Sequence, residues 1–205
     1  WKLNRFARNR LDSVVNKALL RQKGIKVISV TEPLEDSPSG KLLEGVLESI
    51  DQFYSENLGQ DIKRGLRESS KRGFFVGSKP PPGLHKVPVK DGDKTRSKLA
   101  LDSDESPLKN TVVRMFEMAD RGIGTKDIAK TLNKDGMYSR DGNKWTKSTV
   151  HKVITNEAYC GTLVLGNRPS HAALKSGEPP VRFENAWPAL IDKKVFDAIQ
   201  AKMAA

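Results

Sequence analysis

The sequence predicts an α+β protein that is mostly helical: a remnant of an α/β layer, one long connecting helix, then a helical helix-turn-helix module with short strands. Three observations carry this reading. A strand–helix–strand pattern occupies residues 1–30. Apolar residues then recur at helical spacing from Leu43 to Leu66 without a stop. Past Pro107, short amphipathic helices follow one another, separated by Gly-containing turns. The corresponding divisions are residues 1–36, 37–72 and 73–205, with the helix-turn-helix at about 125–155.

Trp1-Lys2-Leu3 reads as the end of a strand, so the N-terminus looks cut from a longer protein. Asn4 to Gln22 reads as a helix with Phe6, Leu11, Val14, Val15, Ala18 and Leu19 inward, stopped by Gly24. IKVISV, residues 25–30, reads as a buried strand. Two strands and one helix cannot close a core, because parallel sheets are covered on both faces. Either the rest of that layer is missing, or this part leans on another chain.

Ser37 is placed to cap the long helix, with Pro38 at its first position. Gly45, Gly59 and Gly65 weaken the helix without breaking its period, and Gly73 ends it. Its first half, LLEGVLESIDQFY, is apolar and acidic, and its second, DIKRGLRESSKR, is basic. The first end suits a protein surface and the second a polyanion. Residues 73–107 hold GSKPPPG and DGDKTRSK, which reads as an extended connector with at most one short strand near Leu99–Leu101. A passive linker and a segment that tracks DNA both fit.

Ser106-Pro107 opens a helix with Leu108, Val112, Val113, Phe116 and Ala119 on one face, and Gly122 ends it. Thr125 opens a second, with Ile128, Ala129 and Leu132 inward, ending near Gly136. Asp141-Gly142 within MYSRDGNKW signals a tight turn, hence a small hairpin or wing. Thr146 caps a third helix, with Trp145 and Val150 placed as a hydrophobic staple. A strand near Tyr159–Leu165, a polar loop, and a helix from Asp192 with Val195, Phe196 and Ile199 inward complete the chain.

The 205 residues carry a formal net charge of +11, which favours an anionic partner, usually nucleic acid. One cysteine, Cys160, excludes an internal disulfide and a multi-cysteine zinc site, and fits a reducing cytoplasm. No run approaches the roughly 18 apolar residues that span a bilayer, and no secretion leader is recognisable, so no membrane partner is expected. His85, His151 and His171 sit in unrelated contexts and form no metal or catalytic pattern.

GTKDIAKTLN followed by KWTKSTVHKVI has the logic of a helix-turn-helix, in which one helix braces and the next presents its outer face. With Val150, Val153 and Ile154 inward, helical spacing turns Ser148, His151, Lys152 and Thr155 outward, types that reach base edges and phosphates. Lys144 and Lys147 stand at the helix entrance, where phosphate is favoured. Lys63, Arg64, Arg67 and Lys71 on the long helix, Arg72 and Lys79 beyond it, and Arg140 in the turn extend the candidate DNA-binding set. An ordinary three-helix bundle with a solvated polar face is the alternative. Arg5 and Arg8 in NRFARNR share a helix face and form a candidate phosphate clamp, or else a solvated basic helix end.

WKLNRFARNRLDSVV, GIKVISVTEP and the stretch from SPSGKLLEG to GSKPPPG resemble the end of the catalytic domain and the long helix of large serine recombinases. IAKTLNKDGMYSRDGNKWTKSTVHKVITNEAYCGTLVLG and PALIDKKVFDAIQ resemble the adjoining recombinase DNA-binding domain. The resemblance implies a resolvase-like catalytic remnant at residues 1–36 and a linker or dimerisation helix after it. It implies site-specific DNA integration or excision through a phosphoserine link, without metal or other cofactor. It implies partners as well: a double-stranded attachment site, a homodimer, and a tetramer in the synaptic complex. A cytoplasmic protein of a prokaryote, phage or mobile element follows. Arg5 and Arg8 match the arginine pair that contacts the scissile phosphate, with Asn4 where the family motif has aspartate. Nothing matches the nucleophilic serine, so the segment is expected to bind DNA without cleaving it. The zinc ribbon is likewise unmatched, and Glu157 stands where proline is frequent. The rival reading is a non-catalytic DNA-binding transcriptional regulator with a dimerising helix, which would need no half-built α/β layer.

Overall fold

The computed structural model describes residues 5–7, 10–30, 37–166 and 179–204. The expected strand end at Trp1–Leu3, Asn4, Arg8, and most of the polar loop with His171 lie outside the described residues. The architecture is mixed α+β and mainly helical, with short antiparallel strands. The chain divides into two compact units, residues 1–65 and 66–205.

In the first unit, α1 (Arg10–Gln22) begins later than expected, with Asp12 in its first turn. Gly24 ends it at φ +75°, and the Ile25 amide donates back to the Leu20 carbonyl at 2.9 Å. The next helix, α2 (Pro38–Lys71), starts where the Ser37 Oγ accepts from the Gly40 amide at 3.0 Å. These two helices meet through polar groups. Ser13 and Lys17, one turn apart on α1, are 4% and 7% exposed. Ser13 donates to Glu48 at 2.6 Å, and Lys17 donates to Glu44 and Glu48 at 2.6 and 2.5 Å.

That seam corrects the expected inward face of α1. Leu11, Val14, Val15 and Leu19 are 49–73% exposed, because the complementary charged stripes face each other and turn the apolar residues away. The apolar face of α2 is also open: Leu43, Val46, Ile50, Phe53, Tyr54, Leu58 and Ile62 are 44–68% exposed. Residues 25–30 form no strand, and Ile25, Ile28 and Val30 lie exposed. An isolated extended segment has no ladder to join, and no strand lies in this unit among the described residues.

The second unit opens with a correction of the expected connector. β1 (Leu84–Asp91) and β2 (Lys94–Leu101), eight residues each, form an antiparallel hairpin in the register Leu84↔Leu101 to Asp91↔Lys94. Its two-residue connection, Gly92–Asp93, has a positive φ only at Gly92, the requirement of a type II′ turn. Leu84 and Leu99, on one face of the ribbon, are buried at its base.

Helices α3 (Pro107–Asp120), α4 (Thr125–Lys134) and α5 (Lys147–Ile154) follow as expected. The wing is a turn without strands: the Ser139 amide donates to the Asn143 carbonyl, and the Gly142 amide returns to Ser139, both at 2.9 Å. A short 3₁₀ helix, Glu157–Cys160, replaces the start of the expected strand and leaves only β3 (Leu163–Leu165). β3 pairs antiparallel with β4 (Val181–Phe183), and α6 (Lys193–Ala204) closes the unit. The core gathers Val112, Met115, Phe116, Ile128, Leu132, Val150, Ile154, Tyr159 and Ile199, each at most 2% exposed. Phe116 lies edge-on to Tyr159 at 5.4 Å and tilted against Phe196 at 6.3 Å. Val195, expected inward, is 39% exposed, since Phe196 and Ile199 supply the α6 contact.

Candidate nucleic-acid interface

Local sequence fixes α5 at both ends of its approach. Thr146 and Thr149 form a reciprocal capping box, with amide-to-hydroxyl distances of 2.8 and 3.2 Å. Just upstream, Asn133 at the end of α4 holds the Trp145 backbone by two 2.8 Å bonds, accepting from its amide and donating to its carbonyl. Val150, Val153 and Ile154 are buried, so the helix cannot rotate without exposing them. The face left to solvent carries Lys147, Ser148, His151 and Lys152, with Lys144 before the cap and Thr155 half-buried. None of Lys144, Lys147 and Lys152 forms an ion pair among the described residues.

The candidate residues on α2 have other engagements. Lys63 and Arg64 are exposed, and Arg64 lies 3.6 Å from Asp61 one turn back. In the second unit, Arg67 donates with both terminal nitrogens to the Pro179 carbonyl at 3.2 Å, and Lys71 pairs with Glu68 at 2.6 Å. Lys79 stands 3.5 Å from Asp141, both well exposed. Arg140 bridges two backbone carbonyls, Leu84 at 2.8 Å and Pro80 at 3.4 Å. The Tyr159 hydroxyl donates to Pro82 at 2.9 Å, so the Pro80–Leu84 segment is held from two sides. Arg5 is exposed.

A group of cations gathers around Phe74: Arg72, already in the candidate set, and Arg96 and Lys98, which sequence reasoning left in the connector. Arg72, Arg96 and Lys98 lie 5.2, 5.4 and 5.9 Å from its ring centroid. Gly73, at φ +76°, ends α2 and turns Phe74 toward the hairpin, where the Phe75 amide donates to Ser97 at 2.7 Å. Asp91 accepts from both Arg72 and Arg96, and these two guanidiniums hold its carboxyl below the usual carboxylate range. The sequence signal was the alternation Lys94, Arg96, Lys98 after a Gly-Asp turn, which puts three cations on one strand face. Cys160 is buried, and burial pushes its thiol up to about 11, as suits a packing residue. No group of three or more metal-type ligands occurs among the described residues. No described helix is long and apolar enough to cross a membrane.

Two protein-family models match the chain: one described as Resolvase, N terminal domain, over residues 1–74, and one described as Recombinase, over residues 108–205. A solved structure described as "Crystal Structure of a LSR-DNA Complex" is similar at a TM-score of 0.50 and 14% identity, which bears on the fold. The similarity covers 70% of this chain and 38% of that one, so this chain spans well under half of that protein's length. No curated protein sequence matches.

Proposed function

We propose that this chain, which belongs to the large serine recombinases, supplies the DNA-binding segment of a site-specific recombinase and engages one half of a double-stranded attachment site. The observation that carries the proposal is the construction of α5. Its buried trio, capping box and Asn133 clasp present Ser148, His151 and Lys152 on one rigid, solvent-facing surface. In this reading α4 and α5 act as a helix-turn-helix, with α5 in the major groove and Lys144 and Lys147 on flanking phosphates. Lys63 and Arg64, earlier in the chain on α2, act as further phosphate contacts. Cleavage and religation, as integration or excision, belong to the longer protein acting as a dimer that pairs into a tetramer. Arg5 and Arg8 stand beside the scissile phosphate there, and the segment alone binds without cutting. The match over residues 1–74 supports this over a transcriptional regulator.

The test is a salt series of binding curves on an attachment-site duplex and a scrambled one. Each lost phosphate contact lowers the slope of log affinity against log salt by about 0.9. Lys63→Ala should weaken both duplexes alike. Ser148→Ala, His151→Ala or Lys152→Ala should instead erode the preference, by about 1–3 kcal/mol for a true base contact. Binding that is flat between low and high salt overturns the proposal.

A further inference from the structure

We infer that the Arg72–Arg96–Lys98 cluster on Phe74 is a docking site for a backbone phosphate of duplex DNA, with Asp91 as its resident counterion. The inference rests on the DNA-binding reading and adds to it a site on the hairpin.

Charge imbalance is the first ground. Three cations converge within 5.9 Å of one ring centroid, and one carboxylate, Asp91, is bonded among them. An aromatic face attracts cations through its quadrupole but neutralises none of them. Asp91 offsets one charge of three, which leaves two. Lys98 has no carboxylate partner among the described residues.

Rigidity is the second ground. Arg96 is held on three sides: its Nε donates to Asp91 at 2.7 Å, its Nη1 to the Ser69 hydroxyl at 2.5 Å, and its Cζ lies over the Phe74 ring. Phe74 is 8% exposed, and Ser69 sits on the last turn of α2. The hairpin register places Arg96 and Lys98 on the same face of β2. Arg96, with little freedom left to lose, binds an anion at low entropic cost.

Access is the third ground. The Arg72 side chain is 53% exposed and that of Arg96 27%, while Asp91 is 16% exposed beneath them. An incoming phosphodiester can therefore meet both guanidiniums from solvent. Guanidinium forks match its oxygens in paired geometry, and Lys98 adds a point charge. The spare positive charge repels a second cation and a lipid-like apolar surface finds no partner there, so the backbone of the same DNA that α5 reads is the fitting ligand.

The experiment measures duplex binding of the 205-residue chain across a salt series, with melting temperature read in parallel. Arg72→Ala and Lys98→Ala should each lower the salt slope by about one, on attachment-site and scrambled duplexes alike. Asp91→Asn should raise affinity severalfold by removing the competitor. If instead Asp91→Asn lowers both affinity and melting temperature while Lys98→Ala leaves the slope unchanged, the cluster is a structural latch and the inference is overturned. Inorganic phosphate binding the cluster while the duplex slopes stay untouched overturns it as well. Failure here with intact sequence preference through Ser148 and His151 leaves the DNA-binding reading standing. Absence of salt-dependent binding in the unsubstituted chain removes both.

Discussion

Lys17 on α1 donates to Glu48 on α2 across 2.5 Å, with side chains 9% and 10% exposed. Burial lowers the Lys17 pKa, but hydrogen bonds and the charges of Glu44 and Glu48 outweigh it, and the net effect is a raised value. A folded value above the ordinary 10.5 stabilises the folded state fully below about pH 10.5. That contribution is lost as pH rises through the higher folded value. Carbon shifts of Ser13 and Glu48 should therefore hold steady at neutral pH and move together in the alkaline range. Lys17→Ala leaves two carboxylates poorly paired and should cost on the order of 3 kcal/mol. Lys17→Met combined with Glu44→Leu and Glu48→Leu should recover much of that loss.

The exposed apolar stripe on α2 is expected to mediate self-association. Ile50 and Phe53 are 44% and 60% exposed and line an open groove with Leu42 and Val46. Ile50→Asp with Phe53→Asp should abolish dimers of the longer protein without loss of helical circular dichroism. Sedimentation showing an unchanged dimer contradicts this.

Arg140 and Tyr159 are expected to report on folding. Burial holds the Tyr159 phenol far above its usual range, so it remains a donor to Pro82 at any working pH. Tyr159→Phe should cost about 1 kcal/mol by leaving that carbonyl unpaired. Arg140→Ala should lower the melting temperature by releasing Pro80 and Leu84. A normal melt with weakened DNA binding would instead make Arg140 a phosphate contact.

Arg5 and Arg8 are expected to separate binding from chemistry. In the cleavage-competent protein, either change to Ala should slow strand cleavage by roughly 10²–10³-fold, as for loss of one transition-state donor. Lysine at either position keeps the charge but loses the fork, so it should also be slow. Duplex affinity should barely change. Normal cleavage in both variants reduces the pair to a solvated helix end.

Helices α3 to α6 were legible because their apolar spacing meets a core within the same unit, and Val150, Val153 and Ile154 fixed the outward face of α5 in the same stroke. The same periodicity misled in α1 and α2. Spacing says that residues share a face, not what covers it, and the α1–α2 seam is made by Ser13, Lys17, Glu44 and Glu48. The hairpin was hidden because Pro88 interrupts β1 and few of its residues are apolar. The Phe74 cluster followed the hairpin into obscurity, since only the β1–β2 register and the turn at Gly73 bring Arg72 near Arg96. The strand expected at residues 25–30 failed for want of a neighbour to bond with.

Gly59 and Gly65 sit inside α2, and a Cβ built at either would meet nothing within 4 Å. Steric fit therefore does not call for glycine at either position, yet each weakens the helix by about 1 kcal/mol relative to alanine. The consequence is mechanical. Backbone hydrogen bonds around these two positions are expected to open more readily than they would with alanine there. Amide exchange at these turns should therefore slow when Gly59→Ala and Gly65→Ala are combined.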